Sequence, residues 1–192
     1  MLDDMARWAP DTRERLRAAA LELFAERGFE ATTVPDIVER AGLTRRTFVR
    51  HFSDKREVFF GDDEIPELAA AAVAAAPPGA TPFAIAWDGF HRLAHDRFEP
   101  RRAQMAAARR FIESEPALRE RDLRKQADLR DALRAAYVAR GADPLDARVV
   151  AGIAVELLQI ALERWLADDA GAPLAYHLSA VRAGMSDALA DG

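Results

Sequence analysis

The chain has 192 residues, 50% of them hydrophobic and 31% charged, with no cysteine and a formal net charge of -5. That length and apolar share fit one ordinary domain or two small ones with a real core, which excludes a disordered tail or a collagen-like fibre. The lack of cysteine excludes disulfides, thiolate nucleophiles, Cys-type zinc sites and Cys-ligated iron–sulfur clusters.

Hydrophobic periodicity is helical throughout and no run alternates with period two, so the chain is predicted to be all-α, with about nine helices. Leu16, Ala19, Ala20, Leu23 and Phe24 form one stripe over 12 to 27, with Asp11 as cap, Glu14 three residues on and Gly28 as the stop. Thr33 opens a second, short helix with Pro35 in its first turn and Asp36 completing a capping-box variant; Ile37, Val38 and Ala41 face inward and Gly42 ends it. Leu43 and Thr44 start a third, to about Phe52, with Phe48 and Phe52 one turn apart and packed inward. Ser53 or Asp54 caps a fourth helix that runs through Val58, Phe59 and Phe60 and continues or restarts after Pro66. Pro77-Pro78-Gly79 breaks it.

Five more helices are predicted at about 82 to 98, 101 to 114, 117 to 140, 145 to 168 and 173 to 190, stopped at Pro100, Pro116, Gly141 with Pro144, and Gly171 with Pro173. Residues 145 to 166 are apolar around much of the circumference (Val149, Val150, Ile153, Val155, Leu157, Leu158, Ile160, Leu162, Trp165, Leu166), more than one core-facing stripe needs. The last helix adds Leu174, Leu178, Val181, Met185 and Ala188, with small Ala180 and Gly184 permitting close approach. These last two helices predict a homodimer joined by a four-helix interface; a single large monomeric core is the other solution.

Charge is unevenly placed. Residues 1 to 60 are balanced, with 11 basic and 11 acidic side chains, so the whole excess of acid lies in the remainder. Between 40 and 56, Arg40, Arg45, Arg46, Arg50, Lys55 and Arg56 face Asp54 alone. A basic patch on an acidic protein suits a module that touches phosphate on one face; a solvated helix face is the plainer alternative. The second and third helices, joined by the tight Gly42-Leu43-Thr44 turn, have the spacing of a helix-turn-helix, whose second helix enters the major groove. At 100° per residue Arg46, Thr47 and Arg50 face outward, with Arg45 at the exposed leading end. Arginine can bind guanine O6 and N7 in bidentate fashion, and threonine can bond a base edge or pack on a thymine methyl. His51 and Lys55 fall where a phosphate backbone would pass.

The ordered series L-F-x-x-x-G-F, T-T-V, A-G-L-T and T-F-x-R-H-F-x-x-K within residues 12 to 60 resembles the DNA-binding region of the TetR family of bacterial transcriptional regulators. The resemblance is close over about a quarter of the chain; beyond it, only helix number, length and the final helix pair agree. It implies a helix-turn-helix DNA-binding domain over 1 to 56 and a helical ligand-binding and dimerisation domain over 57 to 192. It also implies a homodimeric repressor, released from a palindromic operator by a small molecule. By motif position the base readers fall on Arg45, Arg46 and Thr47, and the phosphate contacts on Thr33, Thr44, His51 and Lys55. Two residues depart from the pattern. Val49 stands where the family often has a phosphate-contacting tyrosine, and Pro35, with no N–H to donate, stands where some members touch a base.

In the C-terminal part, Trp87, Phe90, Met105 and Tyr137 read either as core or as the lining of an apolar cavity, where bundle ligands bind. His91, Arg109, Glu156 and Gln159 are the candidate polar groups to orient a ligand of apolar character; Glu156 and Gln159 could instead bond across the dimer. His91, His95 and Glu99, spaced i, i+4 and i+8, drift from core edge toward solvent, and side chains hydrated at the helix surface explain them better than a metal site. No catalytic motif or paired carboxylates can be placed, so neither an enzyme nor a cofactor is expected. A helix-turn-helix adaptor acting through protein contacts is the rival reading. The N-terminal Met1-Leu2-Asp3-Asp4 opens no basic n-region or long apolar run, and no window reaches 18 uncharged apolar residues, so a cytoplasmic protein without a membrane partner is expected.

Overall fold

Gly42 adopts φ 63° and ψ 38°, the left-handed conformation that stops one helix and starts another within three residues. The structure, a computed structural model, describes residues 12–60 and 64–190. The described residues are helical, with α1 Thr12–Arg27, α2 Val34–Ala41, α3 Arg45–His51, α4 Ile65–Ala75, α5 Pro82–Leu93, α6 Arg102–Ser114, α7 Pro116–Ala139, α8 Pro144–Leu166 and α9 Leu174–Ala190. Among them no helix is long and apolar enough to cross a membrane. The cap expected at Asp11 lies outside the described residues.

Two compact units result, one of the described residues up to 60 together with 107–119, the other of 64–106 and 120–190. In the first, α1, α2 and α3 close over Leu16, Leu23, Phe24, Ile37, Phe48 and Phe52. Phe24 stacks on Phe59 with ring centres 4.7 Å apart, and Phe111 lies 5.6 Å from Phe59. The second has its own core, in which Phe90, Leu133, Tyr137, Leu158, Trp165, Leu174 and Leu178 are almost fully buried.

Two sequence expectations need correction. The fourth helix does not form at Ser53: residues Lys55–Val58 make one 3-10 turn, and the α-helix begins at Ile65. Glu57, Val58, Phe59 and Phe60 are buried in succession, which one face of an α-helix cannot achieve. The buried Arg17 instead donates to the Val58 and Phe60 carbonyls at 3.1 and 3.0 Å. The helix expected over 82 to 98 is α-helical only to Leu93; Ala94–Phe98 forms a π turn and Glu99–Arg101 a 3-10 turn. Pro100 is the cause, since its ring clashes with the carbonyl four residues back and brings no N–H to the ladder. The α9 stripe of Leu174, Leu178, Val181 and Met185 packs against its own unit's core.

Candidate nucleic-acid interface

α2 and α3 are set by local chemistry. Asp36 N–H is 3.4 Å from Thr33 Oγ1, while the Asp36 carboxylate accepts from the Thr33 amide at 2.8 Å and its hydroxyl at 2.6 Å, a reciprocal cap. The Thr33 hydroxyl and then its amide, with Arg27 behind them, hold the Asp36 carboxyl below the usual aspartate range. At α3 the Thr44 hydroxyl accepts from the Thr47 amide at 3.2 Å and lies 2.9 Å from the Thr47 hydroxyl. Phe48 is buried and tilts against Phe52 at 5.4 Å, which fixes the roll of this short helix. Arg45, Arg46, Val49 and Arg50 are left exposed; Thr47 and His51 are half-buried, and Arg50 Nη2 lies 3.4 Å from His51 Nε2.

The basic patch is narrower than its composition. Arg40 pairs with Glu26 at 2.7 Å and Glu22 at 3.3 Å, and Arg56 with Asp54 at 2.6 Å. Lys55 faces inward: its ammonium donates to the carbonyls of Phe29 at 2.8 Å, Thr32 at 3.1 Å and Glu30 at 3.4 Å, which accounts for its three protons. It braces the α1–α2 turn instead of presenting free donors outward. Arg15 adds a second brace, from α1 to the Ala41 carbonyl at 2.7 Å. The positive face therefore consists of Arg45, Arg46 and Arg50.

The ligand residues expected from sequence lie in several settings. Trp87 and Tyr137 are core, His91 is half-buried with its ring centre 6.1 Å from that of Trp87, and Met105 packs at the core's edge. Glu156 is exposed and Gln159 half-buried on α8. Arg109 belongs to the first unit, where it pairs with Glu113 at 2.8 Å, because the end of α6 packs there. The Tyr137 hydroxyl is buried with no hydrogen-bond partner, and desolvation pushes it up to about 12.

Phe90 does line a cavity of about 240 Å³ in the second unit, together with Leu68, Val73, Ile85, Ala86 and Leu133. Gly89, Arg92, Asp96 and Arg97 also line it. Its apolar walls come from α4, α5 and α7, elements far apart in sequence, so periodicity gave no signal for them. The π turn also breaks the His91, His95 and Glu99 register: Glu99 instead accepts from the Leu174 amide. Among the described residues no group of three His, Cys, Asp or Glu side chains is placed to hold a metal.

A second cluster closes the α8–α9 turn. Arg102 donates to the Trp165 carbonyl at 2.8 Å and to that of Asp168, with its guanidinium 5.6 Å from the Trp165 ring centre. The Asp168 carboxylate accepts from the Ala170 and Ala172 amides and lies 3.1 Å from His177 Nε2. Those contacts, led by the Ala170 amide, lower its pKa.

Residues 16–61 match a family model described as bacterial regulatory proteins, tetR family. The chain is 34% identical over 142 residues to the HTH-type transcriptional regulator TcmR of Streptomyces glaucescens, covering 70% of this chain and 62% of TcmR. It thus spans less than two thirds of that relative. The fold matches a transcriptional regulator from Aquifex aeolicus VF5 with TM-score 0.52 and 20% identity, over 91% of this chain and 98% of that one. It also matches the Thermus thermophilus repressor FadR, solved with lauroyl-CoA, with TM-score 0.50 and 22% identity over 88% and 90%. With an all-helical fold of this kind, a motif-matched helix-turn-helix and a relative aligned well past it, residues 16–61 form a DNA-binding region of the TetR-family type, and the chain is similar to regulators of that family over 70% of its length.

Proposed function

We propose that the protein is a homodimeric repressor that reads a palindromic operator with α3 and leaves it when an apolar small molecule fills the second unit. The observation that carries this reading is the α3 surface: Phe48 anchors the helix inward and Arg45, Arg46 and Arg50 stand exposed together. Two such helices in successive major grooves sit one DNA turn apart, about 34–36 Å or a multiple of it.

Dimerisation is supported by α8, whose Leu145, Val149, Ile153 and Ile160 form an exposed apolar row at helical spacing while Val155, Leu158 and Trp165 fill the core. The 240 Å³ cavity, slightly below the usual size for drug-like ligands, is the candidate ligand site. FadR of Thermus thermophilus is a repressor crystallised with an acyl-CoA, which makes an apolar effector a natural first class to test. Release requires that the ligand bind the DNA-incompetent form better, since equal affinity shifts nothing.

Selection of bound duplexes from a random DNA library tests the reading. A two-fold symmetric motif is expected, with log affinity falling linearly against log salt at about 0.9 per neutralised phosphate. No enriched motif from folded, dimeric protein would overturn it and favour an adaptor acting through protein contacts.

A further inference from the structure

Among the described residues of the first unit, Val49 is the one large apolar side chain left exposed, at 58%. It does nothing for the fold. α3 is anchored through Phe48, and a β-branched residue lowers helix propensity relative to alanine. It shares the exposed surface of α3 with the arginines: Val49 lies one turn beyond Arg45 and three residues beyond Arg46, at spacings that put them on one side of the helix.

We propose that Val49 is a specificity-determining residue whose methyl groups pack on the C5-methyl of a thymine in each half-site. The inference rests on α3 entering the major groove, as proposed above. Valine neither donates nor accepts, and it is too short to reach past the base edges. Of the features that major-groove edges present, the thymine methyl alone needs no hydrogen bond. An amino group of cytosine or adenine at the same place would be desolvated against the side chain without a partner, which disfavours those bases. Arg45 and Arg46 can pair with guanine, so the same face would offer an apolar spot beside polar ones.

The test uses the full chain and the duplex it selects. Each thymine is replaced in turn by 2′-deoxyuridine, which keeps the pairing and removes only the methyl, and affinity is read by fluorescence anisotropy. One position per half-site should lose about fourfold, the effect of exposing one methyl-sized group. Val49→Ala should lose a similar factor on the thymine duplex and become insensitive to deoxyuridine there. Val49→Thr, which keeps one methyl, should fall between. Because Val49 is exposed and alanine favours helix, circular dichroism should show both variants folded.

Equal affinity for thymine and deoxyuridine at every position would overturn the assignment while leaving DNA reading intact, as a contact to sugar or to nothing would. A deoxyuridine effect that persists in Val49→Ala would overturn it too, by giving the methyl to another residue. If the wild-type protein selects no duplex at all, the parent reading falls along with it.

Discussion

Lys55 Nζ donates to the Phe29 carbonyl at 2.8 Å and stands 4.2 Å from the centre of the same residue's ring. A residue 26 positions downstream therefore closes the turn that leads into α2. Lys55→Met should keep the packing and remove the charge-assisted bonds, lowering the stability of the first unit by about 1–3 kcal/mol. Urea unfolding monitored by amide signals from residues 12–60 measures it, and an unchanged midpoint would show the brace to be idle.

Arg45→Ala and Arg46→Ala should each weaken binding to the selected duplex by about 1–3 kcal/mol and relax one base position, without lowering stability. Anisotropy against single-base variants separates this from a phosphate contact, which would weaken all sequences alike. Arg40→Ala is the informative contrast. Its guanidinium is held by Glu22 and Glu26, so its removal should leave base preference unchanged.

The capping box gives a pH dependence with a defined sign. Hydrogen bonds from Thr33 favour the charged Asp36, so the folded carboxyl binds its proton less tightly than the unfolded one. Its contribution is complete above the ordinary aspartate range and is lost as pH falls through the lowered folded value. Asp36→Asn should flatten that part of the acid-unfolding curve. A wild-type curve and an Asp36→Asn curve that run parallel below pH 4 would refute the assignment.

Ile153→Arg places a charge in the middle of the exposed α8 row, 41% accessible in the single chain. Sedimentation should show a dimer for the wild type and a folded monomer for the variant, and operator affinity should fall with it. A dimer that tolerates the arginine would move the interface elsewhere.

What was legible in the sequence was local. Thr33 with Asp36, Thr44 at the head of α3 and Gly42 in its left-handed turn act within four residues, and the pairing of Phe48 with Phe52 needs only helical spacing. Where the partner is distant, the residue type misled. Lys55 and Arg40 read as outward charge because nothing nearby announces that their partners lie on α1 and its following turn. The cavity was hidden for the same reason: Leu68, Ile85 and Leu133 become neighbours only through the fold. The α8 circumference did carry its message, since the residues in excess of the core stripe are those left exposed.

Arg102 and Glu99 reach the α8–α9 turn from 63 to 75 residues upstream. During synthesis, the first unit has every residue it needs once the chain has passed 119, whereas the second cannot satisfy Glu99 until Leu174 has emerged. Folding domain by domain then gives a nascent chain whose helix-turn-helix is finished while its partner unit is still open. A ribosome stalled before α9 would carry a formed reading head on an incomplete body, and proteolysis of stalled chains should cut within 64–106 while sparing 12–60.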